Sequence, residues 1–411
     1  MQAPKHGEAG GLARLLFAAA GLLALLALLA DPEIVGRFHF RRPLSSEARA
    51  ETARSRWAFA LTAAVLGAAG WAVGRRGLAP AATRAALASL AVGLPLLVLE
   101  RASRPFVERL TTLFVPDPEL GWRHRPGAED TYWGEPVRLN AHGQRGPERA
   151  PARTPGATRV LVLGDSVAFG LLVADDADTF PARLEGELGA RLARPVECLN
   201  TGVAGWSTRQ ERQFLEREGA RWRPDLVLLA FVLNDVTEPT GARAVGQFAY
   251  ARPEGMPAWL AECGIHLALR ELALRRALAG DSPAARAHQE RLTPYHLMLQ
   301  PDTARVQAAW RALLPELAAL QAWSTAQAVP LAVVVFPHGF QLGEPAADAP
   351  QRLLAGFAAQ ADLPLLDLLP AFVAAAAGGE LFLDALHPSA RGHALAAAET
   401  ARFLVERALL R

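Results

Sequence analysis

Residues 159–170 read RVLVLGDSVAFG. An unbroken apolar strand ends on a glycine, an acid and a hydroxyl, and small apolar residues follow. Taken alone, Gly164-Asp165-Ser166 is also an ordinary turn that leads into a helix cap. The rest of the chain has to decide what the serine is for.

Four further apolar runs repeat the pattern downstream: PVECLN (195–200), DLVLLAFV (225–232), PLAVVVFP (330–337) and LPLLDL (363–368). They are spaced by helical stretches such as FPARLEGELGARLA (180–193) and AAWRALLPELAALQAWSTAQ (308–327). Near-continuous apolar runs of this length belong to parallel strands buried on both faces. The expected fold is therefore α/β, a doubly wound parallel sheet with helices on each side. Ligands of such sheets lie beyond the carboxyl ends of the strands, and the polar residues gather there. Asp165 and Ser166 follow the first strand, Asn200, Gly202 and Gly205 the second, and Asn234 and Asp235 the third. Asp384 and His387 stand in LFLDALHPSARGHAL (381–395), just before the final Ala-rich helix.

These residue types suit acyl transfer. A serine hydroxyl is a poor nucleophile at neutral pH and needs an adjacent base, for which histidine has the right pKa. His387 is the candidate base for Ser166. Asp384, three residues earlier, is placed to hold the other ring nitrogen and stabilise the imidazolium. The oxyanion formed on attack needs fixed donors, for which the backbone N–H groups of Ser166 and Gly205 and the side-chain amide of Asn234 are the candidates. Asp165 has no chemical task in this scheme and reads as a brace for the turn. The local string Gly164-Asp165-Ser166-Val167-Ala168 lacks the final glycine of a G-x-S-x-G elbow, which separates this domain from the α/β-hydrolases.

From about Arg159 onward the chain resembles the SGNH (GDSL-like) hydrolase family. The resemblance implies a flavodoxin-like three-layer sheet and assigns the matching positions, Ser166, Gly205, Asn234 and His387, to nucleophile, oxyanion donors and base. One block departs from the family: the third reads Val232-Leu233-Asn234-Asp235 where Gly-x-Asn-Asp is usual.

Composition excludes several other classes. Lys+Arg 43 against Asp+Glu 41 leaves a net charge of +2 over 411 residues, so no polyanion-binding surface and no nucleic-acid partner is indicated. Cys198 and Cys263 are the only cysteines, which rules out a disulfide framework or thiolate metal motif. His387 and His393 have no acidic or thiolate cluster of metal-binding spacing behind them. The glycines form neither G-x-G-x-x-G nor G-x-x-x-x-G-K-[ST], so no cofactor is implied.

The first hundred residues differ in kind. Leu15–Ala30, Trp57–Val73 and Ala85–Leu99 are apolar and uncharged, each near the lower length limit for a membrane-spanning helix. A region of two to three transmembrane helices over 1–110 is expected, with cleavage of the first run as a signal peptide an alternative. Arg37, Arg41, Arg42, Arg49, Arg54 and Arg56 between the first two runs place that loop in the cytoplasm by the positive-inside rule. Three spans would put the C-terminal part inside. Two would put it outside, and an extracytoplasmic catalytic domain is the favoured reading.

Residues 111–156 are rich in Pro, Gly, Arg and aromatics, and read as a small β-rich collar ending in a linker at ERAPARTPG (148–156). Trp122, Tyr132 and Trp133 argue against a disordered tether. Residues 157–411 then form the hydrolase domain, with a helical insert over 238–300 that follows the Asn234 loop and is placed to act as a lid. The expected function is a membrane-anchored serine ester hydrolase acting on a small-molecule, lipid or glycan ester. An O-acyltransferase or deacetylase of envelope polysaccharide or lipid, and a binding protein without turnover on the same scaffold, are the alternatives.

Overall fold

The five apolar runs all form strands, and alternation along them builds the architecture. The computed structural model describes residues 6–29, 46–76, 89, 91–97, 100, 111–237, 255–257, 260, 263–279, 292–344 and 347–410. Numbering begins with the parallel sheet: β1 is Thr158–Gly164, β2 Val196–Asn200, β3 Leu226–Val232, β4 Leu331–Phe336 and β5 Leu365–Asp367. All pairs are parallel and the spatial order is 2-1-3-4-5, the flavodoxin-like doubly wound order. Every residue of β1 to β4 is buried, as expected for strands covered on both faces.

Successive side chains feed opposite cores. Val160, Val162, Leu228, Ala230, Val334 and Phe336 pack with the helices α2 (Phe180–Leu192) and α6 (Ala390–Glu406). Leu161, Leu163, Leu229, Phe231, Val333 and Val335 pack with α3 (Thr208–Glu218), α4 (Ala304–Gln327) and α5 (Ala349–Gln360). Period-two alternation of this kind makes three layers from one sheet. The amino end of the sheet carries one buried charge pair. Arg159, with no exposed surface, donates from Nη2 at 2.6 Å and Nε at 2.8 Å to Glu197 Oε2, and from Nη1 to the carbonyls of Pro151 and Trp222.

Compactness divides the chain in a way composition did not. One unit comprises Leu110–Glu254 and Asp281–Arg411, so the collar folds with the sheet. It contains two antiparallel hairpins, Phe114–Asp117 with Gly121–His124 and Glu129–Tyr132 with Glu135–Arg138. Leu113, Phe114, Trp122, Tyr132 and Val137 form a core with Phe169, Val203, Ala204 and Trp206.

The other unit comprises Met1–Arg109 and Gly255–Gly280, so the middle of the insert clusters with the apolar N-terminal helices. There the carboxylate of Glu100 accepts from Gly264 N–H at 2.9 Å and Ile265 N–H at 3.0 Å, capping the helix Gly264–Ala279. Pro294–Leu299, at the far end of the insert, instead buries Leu297 and Met298 in the hydrolase core. Residues 238–254 and 281–291 of the insert lie outside the described residues, as do Arg37, Arg41 and Arg42 and much of the third apolar run.

The helices His6–Leu29 and Ser46–Arg76 meet through Leu16, Leu23, Phe59 and Leu66. Their outer faces expose Leu22, Leu28, Trp57 and Leu61, each more than half accessible. Among the described residues one helix, Ala53–Val73, is long and apolar enough to cross a membrane by length and composition, and Ala13–Leu28 is apolar but shorter.

Candidate active site

Ser166 is delivered by β1. It opens the one-turn helix α1, Ser166–Phe169, whose N-cap is Asp165. Asp165 Oδ1 accepts the Val167 N–H at 2.8 Å, and Asp165 Oδ2 accepts from Asn234 Nδ2 at 2.8 Å. The acid thus shapes the serine corner and also ties the first strand-end loop to the third. One of the two Asn234 amide hydrogens is committed to that bond.

His387 arrives from the opposite side of the sequence. Asp384 Oδ1 accepts the N–H groups of Leu386 at 2.8 Å and His387 at 2.7 Å, closing a tight turn. Asp384 Oδ2 lies 2.8 Å from His387 Nδ1, and His387 Nε2 lies 2.9 Å from Ser166 Oγ. Ser166, His387 and Asp384 therefore form one continuous chain of hydrogen bonds. Burial alone would raise the Asp384 carboxyl, but the hydrogen bond and charge of His387 and the two backbone donors hold it well below the usual carboxylate range. Asp384 is therefore ionised throughout the neutral range.

The turn is anchored from below by the Ser389 N–H on Leu381 O at 2.9 Å and the Leu383 N–H on His387 O at 2.8 Å. Gly392, in the first turn of α6, sits against this anchor: a Cβ there would fall 2.2 Å from Leu381 O. Gly392→Ala is expected to cost about 1–3 kcal/mol in stability and to reduce turnover by displacing the Asp384–His387 turn. Thermal unfolding together with ester hydrolysis checks both effects.

Two more histidines lie near His387 without sharing its position. His338, at the end of β4, is held down to about pKa 3, chiefly by burial and then by the charge of His387. The neighbouring Gly339 N–H donates to Ala385 O at 2.9 Å, joining that loop to the Asp384–His387 turn. His393 is likewise held near 3 by burial, with both ring nitrogens lacking a partner among the described residues. Of these three, only His387 bonds to both a hydroxyl and a carboxylate. Beside Asp384 and Ala385 opens a cleft of about 470 Å³ walled by Phe340, Leu342, Leu381 and Phe382.

Gly205 lies in the loop after β2 with φ +82°, a left-handed conformation that favours glycine. Gly202 in the same loop meets the serine turn closely, since a Cβ there would fall 2.6 Å from Phe169 N. Sequence reasoning missed Glu211. This residue of α3 is fully buried, with neither carboxylate oxygen bonded among the described residues. Burial first, then the charges of Asp235 and Asp165, push its pKa well above the usual range. Thr208, one turn earlier, donates to Asp235 Oδ2 at 3.0 Å. In sequence, Thr208-x-x-Glu211 looks like a helix capping box, which hides this role.

A carboxyl that stays protonated in the folded state but ionises above about pH 4.3 when unfolded favours folding at low pH. That contribution is lost as pH rises through the window between the two values, by about 1.4 kcal/mol per pH unit. Glu211→Gln is expected to leave stability near pH 4 unchanged and to raise it at pH 8. Unfolding midpoints that keep the same pH slope in the variant would overturn this.

The comparisons agree with this chemistry at the level of family. Residues 162–395 match the GDSL-like lipase/acylhydrolase family. No curated protein matches the chain. Among solved structures, TesA is 17% identical, with 62% of this chain and 100% of that one covered and a TM-score of 0.37. An acetylxylan esterase from Geobacillus stearothermophilus is 16% identical, covering 60% and 94%, with a TM-score of 0.37. The lipase/acylhydrolase from Enterococcus faecalis is 15% identical, covering 61% and 96%, with a TM-score of 0.36. The family match spans more than half of the sequence and takes in both Ser166 and the turn that carries His387, so this chain belongs to the GDSL-like lipase/acylhydrolase family of serine ester hydrolases.

Proposed function

We propose that the protein is a membrane-anchored esterase that works through an acyl-enzyme on Ser166. The observation that carries this reading is the pair of contacts at His387: Nε2 to Ser166 Oγ at 2.9 Å and Nδ1 to Asp384 Oδ2 at 2.8 Å. With Nδ1 protonated and held by an ionised Asp384, Nε2 has a free lone pair for the serine proton. Ser166 Oγ attacks the acyl carbon as its proton passes to Nε2. The backbone N–H groups of Ser166 and Gly205 and the second amide hydrogen of Asn234 receive the oxyanion. His387 then returns the proton to the departing alkoxide. Water repeats the sequence and frees the acid.

The apolar-walled cleft beside Asp384 and the lipid-like outer faces of the two N-terminal helices favour an ester of a lipid or an envelope glycan. Two spans joined by an arginine-rich cytoplasmic loop would leave the hydrolase unit outside the cytoplasm. The test is fluorophosphonate labelling of the full chain with p-nitrophenyl acetate turnover, in wild type, Ser166→Ala and His387→Ala. Labelling is expected in wild type alone. A folded wild type that neither labels nor turns over would sink the nucleophile assignment. Acetylated sugar products formed from added sugar acceptors would make the enzyme a transferase instead.

A further inference from the structure

The collar makes contacts that a tether has no need of. Arg145 stands in NAHGQRG (140–146), a turn in which Asn140 Oδ1 accepts the N–H groups of His142 at 2.9 Å and Gln144 at 3.0 Å. Gly143, at φ +77°, sits where a Cβ would fall 3.0 Å from His124 O. This turn sends the Arg145 side chain, 1% exposed, beneath the serine helix. Its Nη1 donates to Gly170 O at 2.7 Å, its Nη2 to Val173 O at 2.6 Å and its Nε to Asp176 Oδ1 at 2.6 Å. Gly170 in turn closes the one-turn helix, donating its N–H to Ser166 O at 3.1 Å. One planar fork therefore fixes the segment that follows the nucleophile, a geometry lysine does not reproduce.

A second collar residue reaches the oxyanion loop. Trp122 Nε1 donates to Ala204 O at 3.1 Å, and Trp206 Nε1 donates to Trp122 O at 2.9 Å. These two bonds bracket Gly205 on both sides. Gln210 Nε2 adds a bond to Leu120 O at 2.8 Å. The two loops held this way touch each other at Gly202 and Phe169. Misplacing a reacting group by about 1 Å can cost about 10²-fold in rate, so restraint at these two points bears directly on turnover.

We propose that the collar is a working part of the active site, with Arg145 the positioning residue for the Ser166 turn and Trp122 the positioning residue for the Gly205 loop. This rests on the reading of Ser166 as nucleophile and Gly205 as oxyanion donor. Neither collar residue touches the reacting atoms. Their effect is to set where those atoms stand, so removing them lowers kcat and leaves KM nearly unchanged.

The experiment uses the full chain with Arg145→Met, Arg145→Lys, Trp122→Phe and Ser166→Ala, assayed on p-nitrophenyl acetate. Turnover of wild type and the collar variants is expressed per site titrated with a fluorophosphonate, so that unfolded molecules drop out of the rate, and that of Ser166→Ala per mole of protein. Arg145→Met is expected to lower kcat by about 10²-fold, with Arg145→Lys intermediate and Trp122→Phe lower by about 10-fold, KM moving less than threefold in each. Wild-type kcat per titrated site in Arg145→Lys and Trp122→Phe would overturn the proposal, as would a loss confined to KM. If Ser166→Ala keeps its activity, the nucleophile reading itself fails. If Ser166→Ala is dead while the collar variants are fully active per site, only the positioning role fails.

Discussion

Ser166→Ala and His387→Ala are each expected to lower kcat by about 10⁵- to 10⁶-fold, the scale seen when one member of a serine–histidine pair is removed. The two losses should be nearly equal, and the double variant should be no worse than either alone. The hydroxyl is inert without its base, and the base has nothing to deprotonate without the hydroxyl. Residual turnover in either variant would come from the oxyanion donors and binding alone. Folding should be preserved in Ser166→Ala, because the fully buried residues around it keep their partners and only one hydroxyl is lost. Two single variants whose losses multiply in the double variant would mean that Ser166 and His387 act separately. The 2.9 Å contact between them would then be incidental.

Asp384→Asn is expected to lower kcat by about 10⁴-fold, as loss of the correct histidine tautomer does in other serine hydrolases. The reason is specific to this turn. Asp384 Oδ1 already accepts two backbone N–H groups, from Leu386 and His387. An asparagine must keep its carbonyl oxygen on those donors, so its NH₂ faces His387 Nδ1. That nitrogen then has to accept, the ring proton moves to Nε2, and Nε2 can no longer take the proton of Ser166. Asp384→Ala removes the wrong donor together with the carboxylate, so it should be no more impaired than Asp384→Asn. In the wild type the Asp384 carboxyl stays ionised down to strongly acidic pH. The stability it contributes is present above the unfolded value of about 3.9 and is lost as pH falls towards the folded one. Measuring kcat for both variants across pH 6–9 tests the argument, which fails if Asp384→Asn is the more active of the two.

The sheet was legible because its signal is redundant. Five apolar runs in one register each need two covered faces, and no helical arrangement of the same residues provides them. The serine corner and the Asp384–His387 turn could also be read, since each lies at the end of an apolar run and the two acids and the histidine are short-range partners. What sequence could not supply was the far side of each contact. Glu211 is disguised by a capping-box spacing. Arg145 lies in a Gly- and Pro-rich stretch that has the composition of a linker, although its guanidinium is almost completely buried. The insert showed its helices but not its attachment, because a charged residue at position 100 gives no local hint that it will cap a helix beginning at 264.

That attachment gives the chain a threaded topology. The polypeptide leaves the N-terminal unit near residue 110, builds most of the hydrolase, returns at Gly255–Gly280 and then goes back to finish the sheet. The chain therefore crosses between the two units three times. A protease that cuts once, between 101 and 110, would not set the hydrolase free, because residues 255–280 would still hold it. Trimming the chain at 110 would remove Glu100 and leave the helix Gly264–Ala279 without its cap. A hydrolase unit on its own has to lack both segments, with the flanks of the second joined across the gap.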